Sequence, residues 1–303
     1  MRRKIAVLDA PSNLGLRPPQ PGRQPGVRHL PKSLRAHGLL QRLQAHDAGE
    51  IKPPDYSAAP DHPTGFRNGA KIAAYSIALS QRVAALIQTG HFPLVLGGDC
   101  SILLGNMLAL RRLGEYGLCF LDGHQDFAFP RTTSYLGSYA AAGLDLALAT
   151  GRGPEALTNL LGLRPYVDEA NVVALGFYDD PADAPDYQTE ALYLTRIQTI
   201  DIDALRELGP GRAVRSARER LESPGLKGFW IHLDADVLDQ SLMPAVDSPN
   251  PRGMGYRDLI AVLRELLQSD RATGMEITIL DPELDPDGRA TAEFVGAITQ
   301  SFG

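Results

Sequence analysis

The stretch Leu118-Cys-Phe-Leu-Asp-Gly-His-Gln-Asp126 is an apolar run that ends in three residues able to bind a cation. Asp122, His124 and Asp126 recur at every second position, so an extended backbone turns all three to one side. Two other stretches share the design: Leu94-Val-Leu-Gly-Gly-Asp-Cys-Ser101 and Phe229-Trp-Ile-His-Leu-Asp-Ala-Asp236. In the second of these, Asp234 and Asp236 repeat the period of two. Open parallel sheets place their sites outside the carboxyl ends of strands, so the three segments can converge on one crevice.

The text around these motifs alternates between strand and helix patterns. Short apolar runs predict strands over 4–9, 94–97, 117–121, 171–175, 192–194, 228–233 and 274–279. Helical periodicity fits 31–43, 71–88, 102–112, 138–149, 154–161, 202–208, 213–222, 256–268 and 290–301. Residues 10–26 are rich in proline and glycine, and 47–68 are polar and dotted with proline, so both read as loops. Continuous apolar strands separated by helices predict a three-layer α/β/α fold with a mainly parallel central sheet. With no linker or repeat between residues 70 and 303, the expectation is one domain over 1–303.

Composition narrows the function. The 303 residues are 44% hydrophobic and 22% charged, ordinary globular usage that excludes a disordered or fibrous chain. A net charge of −6 carries no basic footprint, so nucleic acid is not an expected partner. No run of eighteen apolar residues exists, and the four-residue run 5–8 behind the basic start is too short for a signal peptide, so no membrane partner is expected. Two cysteines, Cys100 and Cys119, are too few for a disulfide framework and point to a cytoplasmic, reducing compartment.

Several weaker motifs are set aside. Gly151-Arg-Gly153-Pro-Glu-Ala156 matches a dinucleotide fingerprint but follows a helical stretch instead of a strand, so it reads as a helix stop and restart. The acidic run 281–288 lacks the remaining positions of a calcium loop. Four carboxylates on one face are different. They repel one another and are costly to desolvate unless cations compensate them, and two divalent ions sharing carboxylate oxygens would do so.

Gly97-Gly-Asp-Cys-Ser101, Asp122-Gly-His-Gln-Asp126 and Asp234-Ala-Asp-Val-Leu-Asp239 resemble, in order and separation, the three metal motifs of the arginase/agmatinase (ureohydrolase) family. Pro244-Ala-Val-Asp-Ser-Pro249 is similar to that family's Pro-x-x-Gly-Thr-Pro loop, and Met275-Glu-Ile277 to its late strand. The resemblance implies an arginase/deacetylase-like fold and a hydrolase cleaving a C–N bond of a guanidino or amidino compound. It further implies two divalent ions bridged by Asp122 and Asp234, with His124 and Asp236 completing one, Cys100 and Asp126 the other. A hydroxide bridging the ions would be the nucleophile. Manganese is the expected metal; Cys100, where the family has histidine, admits zinc, iron or nickel. Asp126 and Glu276 are the catalytic candidates on this resemblance, Glu276 and Ser248 the substrate-binding ones, with Glu276 holding the guanidinium. A homo-oligomer is the expected assembly.

Two departures bear on the substrate. Leu136 occupies the position of a loop histidine that the family assigns to proton transfer, and Ala128 that of an asparagine reading the amino-acid end of arginine. The substrate expected is therefore not plain arginine. Tyr135 and Tyr139 read as packing or substrate walls. The alternative is a catalytically silent member that binds a metal or small ligand. A single-zinc deacylase ranks last, for want of a His-His pair. His232, two residues before Asp234, reads either as a core histidine or as outer support for a metal ligand.

Overall fold

The computed structural model describes residues 3–59, 64–129, 139–178 and 188–303. Among them, eight strands form one sheet: β1 (Ile5–Asp9), β2 (His46–Glu50), β3 (Phe92–Leu96), β4 (Gly117–Leu121), β5 (Val172–Leu175), β6 (Gln198–Ile200), β7 (Phe229–Asp234) and β8 (Ala272–Thr278). Their order is β2-β1-β3-β8-β7-β4-β5-β6, and every pairing is parallel. The four central strands, β3, β8, β7 and β4, are those that carry the polar motifs at their carboxyl ends.

The helices are α1 (Leu30–Ala36), α2 (Leu39–Leu43), α3 (Gly69–Gln88), α4 (Leu103–Leu113), α5 (Asp145–Ala149), α6 (Glu155–Thr158), α7 (Ile202–Leu208), α8 (Pro210–Leu221), α9 (Tyr256–Leu267) and α10 (Arg289–Phe302). They form two layers. Leu79 and Val83 of α3, Leu104 and Leu108 of α4, Leu146 of α5 and Leu157 of α6 pack in one core, with Leu118, Phe120 and Trp230 from the sheet. Leu34 of α1, Leu39 of α2, Leu205 of α7, Val214 of α8, Leu263 of α9 and Phe294 of α10 fill the other, against Phe229, Ile231 and Leu233. Strand residues thus alternate between two buried faces, which is why these strands read as continuous apolar runs. The predicted three-layer architecture is the one observed.

Local differences have local causes. The stretch 192–194 lies in a 3₁₀ helix, Thr189–Leu194, and the edge strand follows it at β6. Residues 46–50, outside any predicted strand, pair with β1 as the other edge; only the central Ala48 is buried, so no apolar run betrays the strand. The 31–43 helix is two helices, because Gly38 takes φ +82 between α1 and α2. Gly151 and Gly153, both at positive φ, separate α5 from α6, the helix stop and restart that their sequence suggests.

Candidate metal centre

The site begins with close packing behind β3. A Cβ on Gly98 would stand 1.7 Å from the carbonyl oxygen of Ser12, so only glycine lets this loop meet the segment after β1. Asp99 then accepts hydrogen bonds from Ser12 Oγ at 2.7 Å and from the Ser101 amide at 2.9 Å, which starts a 3₁₀ turn at Cys100. The Cys100 thiol, fully buried, donates to Asp234 Oδ2 at 2.8 Å, and its sulfur lies 3.3 Å from Thr278 Oγ1.

The ends of β4 and β7 interlock. Asp122 Oδ1 accepts from the His124 amide at 2.7 Å, and Asp234 Oδ1 from the Asp236 amide at 2.8 Å. The Gly123 amide donates to Asp236 Oδ1 at 3.0 Å, and His124 Nδ1 lies 3.0 Å from Asp236 Oδ2. Metal-capable atoms gather in two clusters that share Asp122, each with its donors within 4.8 Å of one another: Cys100, Asp122, His232 and Asp234; and Asp122, His124 and Asp236. Five of the six predicted ligands fall in these clusters. Asp126, half-buried at φ +45, faces the same cavity but belongs to neither. His232, which the sequence left between core and support, stands among the donors.

Beneath the donors runs a buried polar chain. His232 stacks on Phe120 with ring centroids 4.5 Å apart, and its Nδ1 lies 2.9 Å from Glu276 Oε1. The other Glu276 oxygen accepts from the Asn106 amide of α4. His232 Nε2 points to Asp122 Oδ2 at 3.4 Å, but neither atom makes a hydrogen bond among the described residues. Glu276 is fully buried here, one pleat below Thr278, and does not line the cavity. The expectation that it meets the substrate's guanidinium is therefore corrected: its carboxylate is consumed by His232 and Asn106.

The electrostatics are those of a buried acid cluster that its two histidines compensate only in part. Burial, followed by the charge of Asp236, pushes the Asp234 carboxyl up to about 8. Burial also raises Asp122, Asp126 and Asp236 above the usual carboxylate range, and neighbouring carboxylates add to it. Burial and the same negative charges hold the Cys100 thiol well above its ordinary value. For His232 burial works the other way, but Asp122 and Glu276 outweigh it and raise the ring. Carboxylate oxygens, an imidazole and a thiol held this closely, with Asp122 Oδ2 buried and unpartnered, fit divalent cations in both chemistry and charge.

A cavity of about 380 Å³ opens above the clusters, lined by Cys100, His124, Asp126, Ala128, Asp234, Asp236, Asp247, Ser248 and Ile279, among others. Ser248 and Asp247 also border an adjoining cavity of about 560 Å³, which Arg17, Arg23 and Tyr139 help to line. Tyr139 packs on Phe66 as well, so it is both packing and wall. Tyr135 and Leu136 lie outside the described residues. Asp145 escaped the sequence reading because it stands alone among Ala and Leu, with no period-two partner. It is fully buried, its Oδ2 has no partner among the described residues, and its charge adds to the raising of Asp126.

The arginase family model matches residues 3–303 of this chain. The chain belongs to the arginase family. Members of that family are hydrolases of C–N bonds in guanidino compounds and generally use a binuclear metal centre. The chain is 28% identical to an arginase of Staphylococcus aureus over 307 residues, covering 99% of this chain and 97% of the relative. The solved arginase of Bacillus caldovelox superposes with a TM-score of 0.85 at 26% identity, over 100% of this chain and 99% of that one. An agmatine ureohydrolase of Thermoplasma volcanium, 18% identical with a TM-score of 0.69 over 99% of this chain and 90% of that one, shares the fold. This arginase-family chain has, among its described residues, no helix long and apolar enough to cross a membrane.

Proposed function

We propose that this arginase-family chain, acting as one domain over 1–303, hydrolyses a C–N bond of a guanidino or amidino compound other than plain arginine. The observation that carries the reading is the pair of donor clusters sharing Asp122 on the floor of the cavity. Asp122 and Asp234 would hold both of two divalent ions, His124 and Asp236 one of them, Cys100 and Asp126 the other. Manganese is the first expectation, with zinc, iron or nickel admitted by the thiol. When bound, such a pair of ions supplies a water-derived nucleophile at neutral pH and polarises the bond to be cleaved.

The chain's own residues do the rest. Cys100, Asp122, Asp234 and Asp236 are buried, so their charges act through a dielectric well below that of water. The hydrogen bonds from the His124 and Asp236 amides fix Asp122 and Asp234; Asp122 Oδ2 makes no hydrogen bond among the described residues, and Asp234 Oδ2 faces the Cys100 thiol, which a cation would deprotonate. Asp247 offers a carboxylate to the guanidino or amidino group where Glu276 does not, and Ser248 adds a polar contact on the cavity wall. Ala128, on the cavity wall, offers no side-chain amide of its own to an amino-acid end. An N-hydroxyguanidino or other weakly basic substrate fits this best, since its leaving group demands less of a general acid. A homo-oligomer follows by family resemblance, and two unpaired cysteines favour a reducing cytoplasm.

A screen for urea and amine release over guanidino and amidino compounds, with manganese, zinc, iron and nickel each supplied, tests the reading. Turnover that disappears in Asp234→Asn is the expected result, and equal activity in that variant overturns it. The withdrawal of Glu276 from the cavity favours one second reading: a protein that binds a metal or small ligand without turnover. Tight binding of a guanidino compound with no product under any metal would select it.

A further inference from the structure

The arrangement of the two clusters leaves one ring unexplained. His232 is fully buried, its Nδ1 is engaged by a carboxylate, and its Nε2 is aimed into the donor cluster with no hydrogen bond of its own. Asp122 Oδ2, the atom opposite, is equally buried and equally unpartnered. The two atoms face each other at 3.4 Å, too far for a good hydrogen bond and wide enough apart for both to meet one ion between them.

We propose that His232 is itself a metal ligand: it takes the place given above to Asp126, completing with Cys100, Asp122 and Asp234 a four-donor position that Glu276 orients from behind. Metal-bound histidines almost always give their second ring nitrogen to a carboxylate or carbonyl, which fixes the tautomer and the plane of the ring. The Glu276–His232 contact has that form, and Asn106 holds the far oxygen of Glu276 in turn. Register supports it: β7 and β8 pair His232 directly with Glu276 and Asp234 with Thr278, so ring and donors climb one face of the sheet together. The 3.4 Å between His232 Nε2 and Asp122 Oδ2 is also the spacing of two ligands of one ion. Donors at about 2.0–2.1 Å from a tetrahedral centre stand about 3.3–3.4 Å apart.

The consequence is chemical selectivity. One nitrogen, one sulfur and two carboxylate oxygens suit zinc or cobalt, whereas manganese favours oxygen-rich sets. The two positions therefore differ in kind: this deep one is soft and closed, and the one at His124 and Asp236 is harder and nearer the cavity mouth. Binding here deprotonates the Cys100 thiol and releases the hydrogen bond it now donates to Asp234.

The inference rests on the metal-dependent reading above, and its test separates the two. The whole chain is loaded with one equivalent of zinc and the zinc environment is measured by X-ray absorption. A sulfur at about 2.3 Å and an imidazole nitrogen are expected in the wild type. His124→Gln removes the only other histidine in the clusters among the described residues, from a partly exposed position, so the imidazole must survive in that variant. His232→Gln should lose it, and Glu276→Gln should keep it but weaken zinc binding by about 10- to 100-fold. Loss of the imidazole in His124→Gln, or no sulfur in the wild type, overturns this inference while leaving the metal-dependent hydrolase standing. A chain that retains no zinc and shows no turnover with any metal overturns both. Failure of His232→Gln to fold does not blunt the test, because His124→Gln decides it.

Discussion

His232 Nδ1 and Glu276 Oε1 stand 2.9 Å apart, both side chains wholly buried, on neighbouring strands whose register pairs the two residues directly. Both side chains are wholly buried, so their compensation comes from within the fold: Asp122 and Glu276 for the ring, His232 and Asn106 for the carboxylate. Breaking a buried pair by removing one partner typically costs about 3–5 kcal/mol, because the survivor is left uncompensated in a low dielectric. Glu276→Ala also strands the Asn106 amide. We expect its urea unfolding midpoint to fall by the equivalent of about 3–5 kcal/mol in chelator-treated protein. A loss below about 1 kcal/mol, in the range of an exposed ion pair, would mean that the pair is not closed to water.

That contact also shows where sequence reading stops. The central sheet was legible because strands buried on two faces have no polar alternation, and Leu94, Leu118 and Ile231 announce themselves. The donors at 122, 124, 234 and 236 were legible because a period of two needs no tertiary knowledge. Glu276 was not. Its neighbours Met275 and Ile277 fix it on a strand, but whether that face ends in a cavity or in a histidine depends on the register of β7 against β8. His232 and Asp145 share the difficulty, since a single polar residue in an apolar run carries no periodic signal. β2 was lost for the opposite reason: an edge strand with one buried residue resembles a loop.

The carboxyl of Asp234, which burial raises to about 8 against an ordinary 3.8, makes stability depend on pH in a fixed sense. Between these values the folded chain without metal keeps a proton that the unfolded chain has released, so its stability falls as pH rises through that window. The raised ring of His232 acts in the same direction at higher pH. Metal binds the deprotonated groups, so the gain on adding it grows with pH. We expect the Tm of chelated protein to drop between about pH 5 and about pH 8, and the metal-induced increase in Tm to widen over the same interval. Calorimetry with and without added ion measures both, and a metal-induced increase that shrinks with pH would contradict the assignment of these carboxylates as ligands.

Both thiols should be chemically silent in the native state. Cys100 and Cys119 are wholly buried, and burial pushes Cys119 up to about 12 and Cys100 well above its ordinary value. The thiolate is the species that attacks a thiol reagent; it is scarce when the pKa is raised, and both cysteines are wholly buried. A colorimetric thiol count is expected to give none in native chelated protein and both after denaturation. Rapid native labelling of Cys100 would mean that the floor of the cavity opens in solution.

The tightest steric constraint lies at Gly98, where a methyl group would sit 1.7 Å from the Ser12 carbonyl oxygen and 2.7 Å from its carbon. Both atoms are backbone, so no rotamer change relieves the clash; the loop between β3 and α4 must move. That loop carries Asp99, whose bonds to Ser12 and Ser101 set the turn, and Cys100, whose sulfur reaches Asp234 across the sheet. Overpacking a filled core costs about 1–3 kcal/mol and sometimes more. We expect Gly98→Ala to reach the upper end, about 3 kcal/mol by urea unfolding, because the clash is with main chain. The more telling readout is metal. Cys100 displaced with its loop leaves Asp234 without its sulfur neighbour, so the variant should lose zinc in preference to manganese. A variant that keeps wild-type stability and zinc retention would show that the loop has room the packing denies it.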